Sequence, residues 1–224
     1  MNEPQGKALN NWSALVLAAG GSRRFGAPKL LADLAGEPVI RRTAGAICAV
    51  GFCETIIVTG AEYAAVRATL AGLPCKVVHA PNWAVGISAS IRVGIEALQH
   101  EWEGLFLFLG DMPLVPIGLC EELADLAKSL GYAARPLRGV VPGHPVAFVN
   151  EAAADLMALT GDEGAGSLLR GAGAKIGYLP TTDEGAILDI DTPAAMARAE
   201  RLWKSRFTSD MIDSAMSCGD LPKP

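Results

Sequence analysis

The feature that most limits what this chain can fold into is its alternation of short apolar runs with segments of helical period. Residues 15–17, 55–59, 75–79 and 105–109 are brief stretches rich in Leu, Val, Ile and Phe. Runs of that length and composition suit strands buried on both faces. Between them, residues 38–50, 61–70 and 88–98 read as helices, the last with Ile91, Ile95 and Leu98 on one face. Residues 116–130 repeat the pattern with Leu119, Leu123, Leu126 and Leu130 in register. A β-rich stretch at 140–149 is followed by helices at 152–159 and 165–170, strands at 175–179 and 186–190, and a closing helix at 193–203. Strands joined through helices demand crossover connections, which cover both faces of a mostly parallel sheet. The expected architecture is therefore a three-layer, Rossmann-like α/β domain over residues 12–204. Beyond Arg206 the pattern fades, and residues 205–224 read as a flexible C-terminal tail.

In open sheets of this kind ligands bind beyond the carboxyl ends of the strands. The first such end carries Leu17-Ala18-Ala19-Gly20-Gly21-Ser22, followed by Arg23, Arg24 and Lys29. Small residues there let a ligand approach the backbone N–H groups, and three nearby cations complement them: together they suit a polyphosphate. A tight surface turn with solvated basic residues is the competing reading. Neither of two common phosphate motifs fits. Ala27-Pro28 displace the lysine of a P-loop, and Ser22 occupies the second glycine of a dinucleotide fingerprint.

A second strand end carries Gly110-Asp111-Met112-Pro113, where a lone carboxylate can serve as a Mg²⁺ ligand or cap the following turn. In Leu188-Asp189-Ile190-Asp191-Thr192-Pro193, a strand would put Asp189 and Asp191 on one face, tolerable beside a cation. Thr192 and Pro193 also have the form of a helix start. Trp83 to Ser90 (W-A-V-G-I-S-A-S) precedes a helix, so Ser88 and Ser90 are either caps or ligands for a base edge or an anion. His144, in a turn entering a strand, is either structural, solvated or a ligand contact.

Composition removes several classes. Of 224 residues half are apolar and 19% charged, which excludes a disordered chain. The net charge of −5 gives no general affinity for nucleic acid. No apolar run approaches a membrane span or a signal peptide, and five cysteines without a C-x-x-C pair suit a reducing, cytoplasmic setting.

The spelling of the first loop, A-A-G-x-S-x-R-x-G-x-x-K, resembles the signature of nucleotidyltransferases that act on the molybdenum–pterin cofactor. These are the molybdenum cofactor cytidylyltransferases and relatives of the molybdopterin–guanine dinucleotide synthases. The resemblance spans about residues 15–203 through five ordered motifs. It implies that the loop from Leu17 to Ser22 wraps the triphosphate, with Arg24 and Lys29 neutralising it. It implies that Asp111 holds Mg²⁺ (or Mn²⁺), completed by Asp191 and less directly by Asp189. Gly86, Ser88 and Ser90 would lie against the nucleobase, and His144 and Asp189 would border the acceptor. Ala19, where guanylyltransferase relatives tend to carry glycine, favours CTP over GTP. The reaction implied is CMP transfer from CTP to the terminal phosphate of a phosphorylated pterin, molybdenum-loaded molybdopterin, with a client molybdoenzyme as a further partner. A sugar or alcohol phosphate acceptor, GTP as donor, and a non-catalytic cofactor carrier stand as alternatives. One departure concerns the acceptor: in G-D-E-G-A-G, Gly166 stands where an arginine is usual.

Overall fold

The computed structural model describes residues 9–21 and 25–217, without the side chains of 174 and 207–217. Ser22, Arg23 and Arg24 of the first loop lie outside the described residues. Ten strands form in chain order: β1 (Trp12–Ala18), β2 (Asp33–Leu34), β3 (Glu37–Pro38), β4 (Glu54–Thr59), β5 (Lys76–His79), β6 (Gly104–Leu109), β7 (Ala133–Arg138), β8 (Val141–Pro142), β9 (Val146–Val149) and β10 (Ile176–Pro180). The helices are α1 (Val39–Cys48), α2 (Tyr63–Thr69), α3 (Ile87–Glu96), α4 (Cys120–Leu130), α5 (Ala153–Ala158), α6 (Ala165–Gly171) and α7 (Pro193–Ser217).

The main sheet runs β10-β7-β9-β6-β1-β4-β5, with β8 on the side of β7, while β2 and β3 make a separate small ladder. β1 pairs in parallel with both β4 and β6, and β9 is antiparallel to β6 and β7. β1 is buried along its whole length, and its alternation splits between two apolar layers. Trp12, Ala14, Val16 and Ala18 join α1, α2 and α4 on one face. Leu15 and Leu17 join α3, α5 and α6 on the other. A third cluster seats α7, through Met196 and Ala199, on Leu34, Val39 and Leu114. The expected α/β sandwich of helices on both faces of a mostly parallel sheet is the observed one. Among the described residues, no helix is long and apolar enough to cross a membrane.

Three expectations differ from the structure. Residues 186–190 form no strand: a 3₁₀ turn at Glu184–Ala186 leads into extended chain that joins no sheet. Its backbone contacts go instead to loops, through His144 N–H to the Ala186 carbonyl at 2.7 Å and Ile190 N–H to the Asp111 carbonyl at 3.0 Å. β7 was not expected, because Pro136 and two arginines give it a weak strand signature. The closing helix, expected to end at Trp203, continues to Ser217. No glycine or proline interrupts the sequence there before Gly219, so the backbone meets no helix breaker.

Candidate active site

The carboxyl ends of β1 and β6 open into a cavity of about 510 Å³. One wall is the first loop: Leu17, Ala18, Ala19, Gly20 and Gly21 all line it. A Cβ at Gly20 would meet nothing within 4 Å, so this side of the loop is open to a ligand. The floor carries Lys29, Asp111 and Asp191, brought together from three distant segments. Lys29 opens a short 3₁₀ turn and is largely buried. Its Nζ donates to Asp111 at 2.5 Å and to Asp191. The Ile190–Asp111 backbone bond carries Asp191 to that position.

The electrostatics of this floor are those of an anionic cluster with one cation. Burial works against the Lys29 charge, but Asp111 and Asp191 outweigh it and hold the ammonium above the ordinary lysine range. Burial, together with Asp189 and Asp191, holds Asp111 above the usual carboxylate range, with Lys29 opposing. Asp111, Asp189 and Asp191 each offer an oxygen within 4.8 Å of the others. Among the described residues three carboxylates face one ammonium, and hard oxygen donors of this kind suit Mg²⁺ or Mn²⁺. The residues therefore fit a divalent cation. The pairing of Asp189 with Asp191 arises without the strand expected for it. Extended chain alternates whether or not it joins a sheet, and here Leu188 and Ile190 are buried while Asp189 is exposed.

The opposite wall comes from Trp83, Ala84, Gly86, Ile87 and Ser90, at the start of α3. Ser90 lines the cavity, whereas Ser88 does not. The Ser88 hydroxyl is spent on the Gly161 carbonyl at 2.7 Å, so its expected role at the nucleobase is corrected to that of an internal latch. Gly86, with φ of 145°, sits so close to Gly161 and the Asp162 amide that a Cβ would collide with both. That contact fixes the loop at 160–164 over the first turn of α3 and brings Asp162 to the cavity.

Trp83 and Asp162 are residues that sequence reasoning missed. The Trp83 indole fills the space beside Gly60, where a Cβ would strike both the indole and the Ala19 carbonyl, and it backs Gly21. A glycine directly after β4 and a tryptophan after β5 were the available signal. Asp162 stood inside a motif examined only for Gly166.

His144 does not line the cavity. Its Nδ1 is shut off from solvent without a partner, which gives it a buried structural setting in place of the expected acceptor contact. Burial and the Arg135 guanidinium push the imidazole down to about 4, a bond with the Leu107 backbone pulling the other way. At Gly166, a Cβ would lie 3.5 Å from the Arg170 guanidinium. One turn on, α6 thus supplies a cation beside the position where the resemblance led us to expect one.

A family model described as MobA-like NTP transferase domain matches residues 14–176. The chain is 28% identical to nicotine blue oxidoreductase of Paenarthrobacter nicotinovorans, over 83% of this chain and 95% of that relative. It is 29% identical to the molybdenum cofactor cytidylyltransferase of Escherichia coli, over 59% of this chain and 67% of the relative. Against a bifunctional protein GlmU of Rhizorhabdus wittichii, 27% identical over 86% of this chain, it spans only 40% of the relative's length. The crystal structure of Rv0371c from Mycobacterium tuberculosis superposes with a TM-score of 0.77 at 28% identity, covering 86% of this chain and 98% of that one. A manganese complex of the same mycobacterial protein gives a TM-score of 0.73 at 26% identity, covering 85% and 98%.

Proposed function

The chain belongs to the MobA-like NTP transferase family, and from that premise we propose that it transfers CMP from CTP to the terminal phosphate of molybdenum-loaded molybdopterin, releasing pyrophosphate. The observation that carries this reading is the floor of the cavity: Lys29 held between Asp111 and Asp191 beneath an open glycine loop. A carrier that only bound and delivered a cofactor would have no use for that arrangement. The named cytidylyltransferase relative supports the choice of reaction.

In this reaction an oxygen of the acceptor phosphate attacks the α-phosphorus of the triphosphate. The bond from that phosphorus to the β-phosphate bridging oxygen breaks, and pyrophosphate leaves. Such transfer rests on positioning and charge stabilisation, without a covalent nucleophile. The amides from Ala19 to Gly21 face the phosphates, and Lys29 is the cation beneath them, joined by Arg24 in the family's pattern. Asp111 and Asp191, with Asp189 beside them, would hold magnesium or manganese, whose bound ion supplies further neutralisation at the α-phosphate. The Ala19 Cβ narrows the pocket and favours a pyrimidine over a purine, a discrimination of about 1–3 kcal/mol for one carbon group.

The test is pyrophosphate release with Mg²⁺ and molybdenum-loaded molybdopterin, comparing CTP, GTP, ATP and UTP. Release with CTP alone is expected. Preference for GTP would overturn the base assignment and keep the reaction. Tight pterin binding with no release from any triphosphate would replace the enzyme reading with that of a carrier.

A further inference from the structure

The cavity holds one charged group that the proposed reaction does not use. Asp162 lines it on the side of α3, as do Trp83, Ala84, Gly86 and Ile87, and its amide lies against Gly86. Its carboxylate has no hydrogen bond or ion pair among the described residues. The adjacent Glu163 differs: its carboxylate closes the loop, accepting from the Thr160 amide at 3.1 Å and the Thr160 hydroxyl at 3.0 Å. The loop is also fixed from below, since Gly161 accepts from the Ser88 hydroxyl at 2.7 Å and from the Ser88 amide at 3.3 Å. Asp162 is therefore an exposed carboxylate at the cavity rim, without a protein partner among the described residues, on a doubly anchored loop.

A negative charge on the wall away from Lys29 and the acidic cluster repels the phosphates, and the substrate groups suited to it are hydrogen-bond donors elsewhere on the nucleotide. The walls beside it are apolar and include an indole, the surroundings that a flat heterocycle needs. A carboxylate only accepts. On such a ring it can read an N–H, and on the cytosine of CTP the only base donor is the exocyclic amino group. We propose that Asp162 is a specificity-determining residue that accepts a hydrogen bond from the exocyclic amino group of the cytosine base. Uracil presents a carbonyl oxygen at that position, which meets the carboxylate oxygen against oxygen, with no proton between them. Asp162 thus separates CTP from UTP, a distinction between two pyrimidines that the Ala19 Cβ cannot make because it acts on ring size.

This inference rests on the nucleotide-transfer reading, so the test begins with the wild-type protein. Pyrophosphate release with CTP establishes the reaction, and its absence with every triphosphate would remove that reading without touching Asp162. The kcat/KM values for CTP and UTP are then measured for wild type, Asp162→Asn and Glu163→Gln, with thermal melting to verify folding. An asparagine can turn its amide to donate to the uracil oxygen. We expect Asp162→Asn to shrink the CTP/UTP ratio by on the order of tenfold or more, through both a loss on CTP and a gain on UTP. Glu163→Gln keeps the wild-type ratio. A ratio unchanged in Asp162→Asn, with a raised KM for the acceptor instead, would overturn the proposal by placing Asp162 at the acceptor. Equal shifts in both variants would overturn it too, because loop rigidity and not the carboxylate would then set the selectivity.

Discussion

The two walls of the cavity are built on opposite principles. The side proposed for the phosphates is charged and internally paired: Lys29 bonds Asp111 and Asp191, and the three come from segments as far apart as the first loop and the approach to α7. The side proposed for the base is largely apolar, held by packing of one loop on another, with the Asp162 carboxylate left open. A paired cluster is costly to disturb, because each member leaves the others buried and uncompensated. A packed wall is disturbed by small amounts, and in proportion to the contact removed. The comparison teaches that chemistry and selectivity should separate by mutation, one side giving all-or-none losses and the other graded ones.

The largest expected effect lies on the charged side. Asp111→Asn or Lys29→Ala should lower pyrophosphate release by roughly a hundredfold or more, in line with the loss of a preorganised electrostatic group. Steady-state kinetics with CTP decide it, and near-wild-type rates in both variants would erase the contrast between the walls. A second prediction concerns acid, and locates a titrating group outside both walls. The His144 imidazole in the native protein stays neutral down to about 4, well below the ordinary 6.5. Between those values the unfolded chain binds a proton that the native chain refuses. The contribution of this group to stability is therefore complete above about pH 6.5 and is lost as pH falls from there to about 4, by about 3 kcal/mol in total. Urea unfolding of wild type and His144→Gln at neutral pH and near pH 4 checks this. A wild type and a variant that lose stability in parallel would show that the acid response arises elsewhere. The smallest effect belongs to the packed wall. Ser88→Ala removes the 2.7 Å bond to Gly161 while the weaker amide contact remains, for a cost of about 1 kcal/mol in unfolding free energy. The KM for CTP should rise a few-fold (roughly the same energy) with kcat little changed. A collapse of kcat would mean that the two walls are mechanically one.

Legibility in the sequence follows the same division. The parallel core was readable because strands buried on both faces, such as β1 and β6, are continuous apolar runs. Lys29 and Asp111 were readable because each sits at a fixed offset from such a strand end. β7 was not, since a strand containing Arg135, Pro136 and Arg138 owes its place to neighbours on both sides and not to its own composition. Asp189 and Asp191 were matched for a reason that is not the real one: alternation survived although the strand did not form. Asp162 and Trp83 gave only weak local signals, the G-D-E-G-A-G stretch for the one and a tryptophan after β5 for the other. Their positions depend on the loop at 160–164 meeting the start of α3, a contact between residues some seventy positions apart.

The backbone bond from Ile190 to Asp111 has a consequence for how the protein comes into being. β1, α1, β4, β5 and β6, with Lys29 and Asp111, all precede residue 190 in the chain, as do the residues of both cavity walls. Asp191 arrives only when the segment after Ala186 has been synthesised and has settled onto the loop that follows β6. A chain arrested before that point would own a sheet, a glycine loop and an unmatched Lys29–Asp111 pair. Asp191 is thus the last of the three floor residues to be added, with only α7 among the named elements still to follow it.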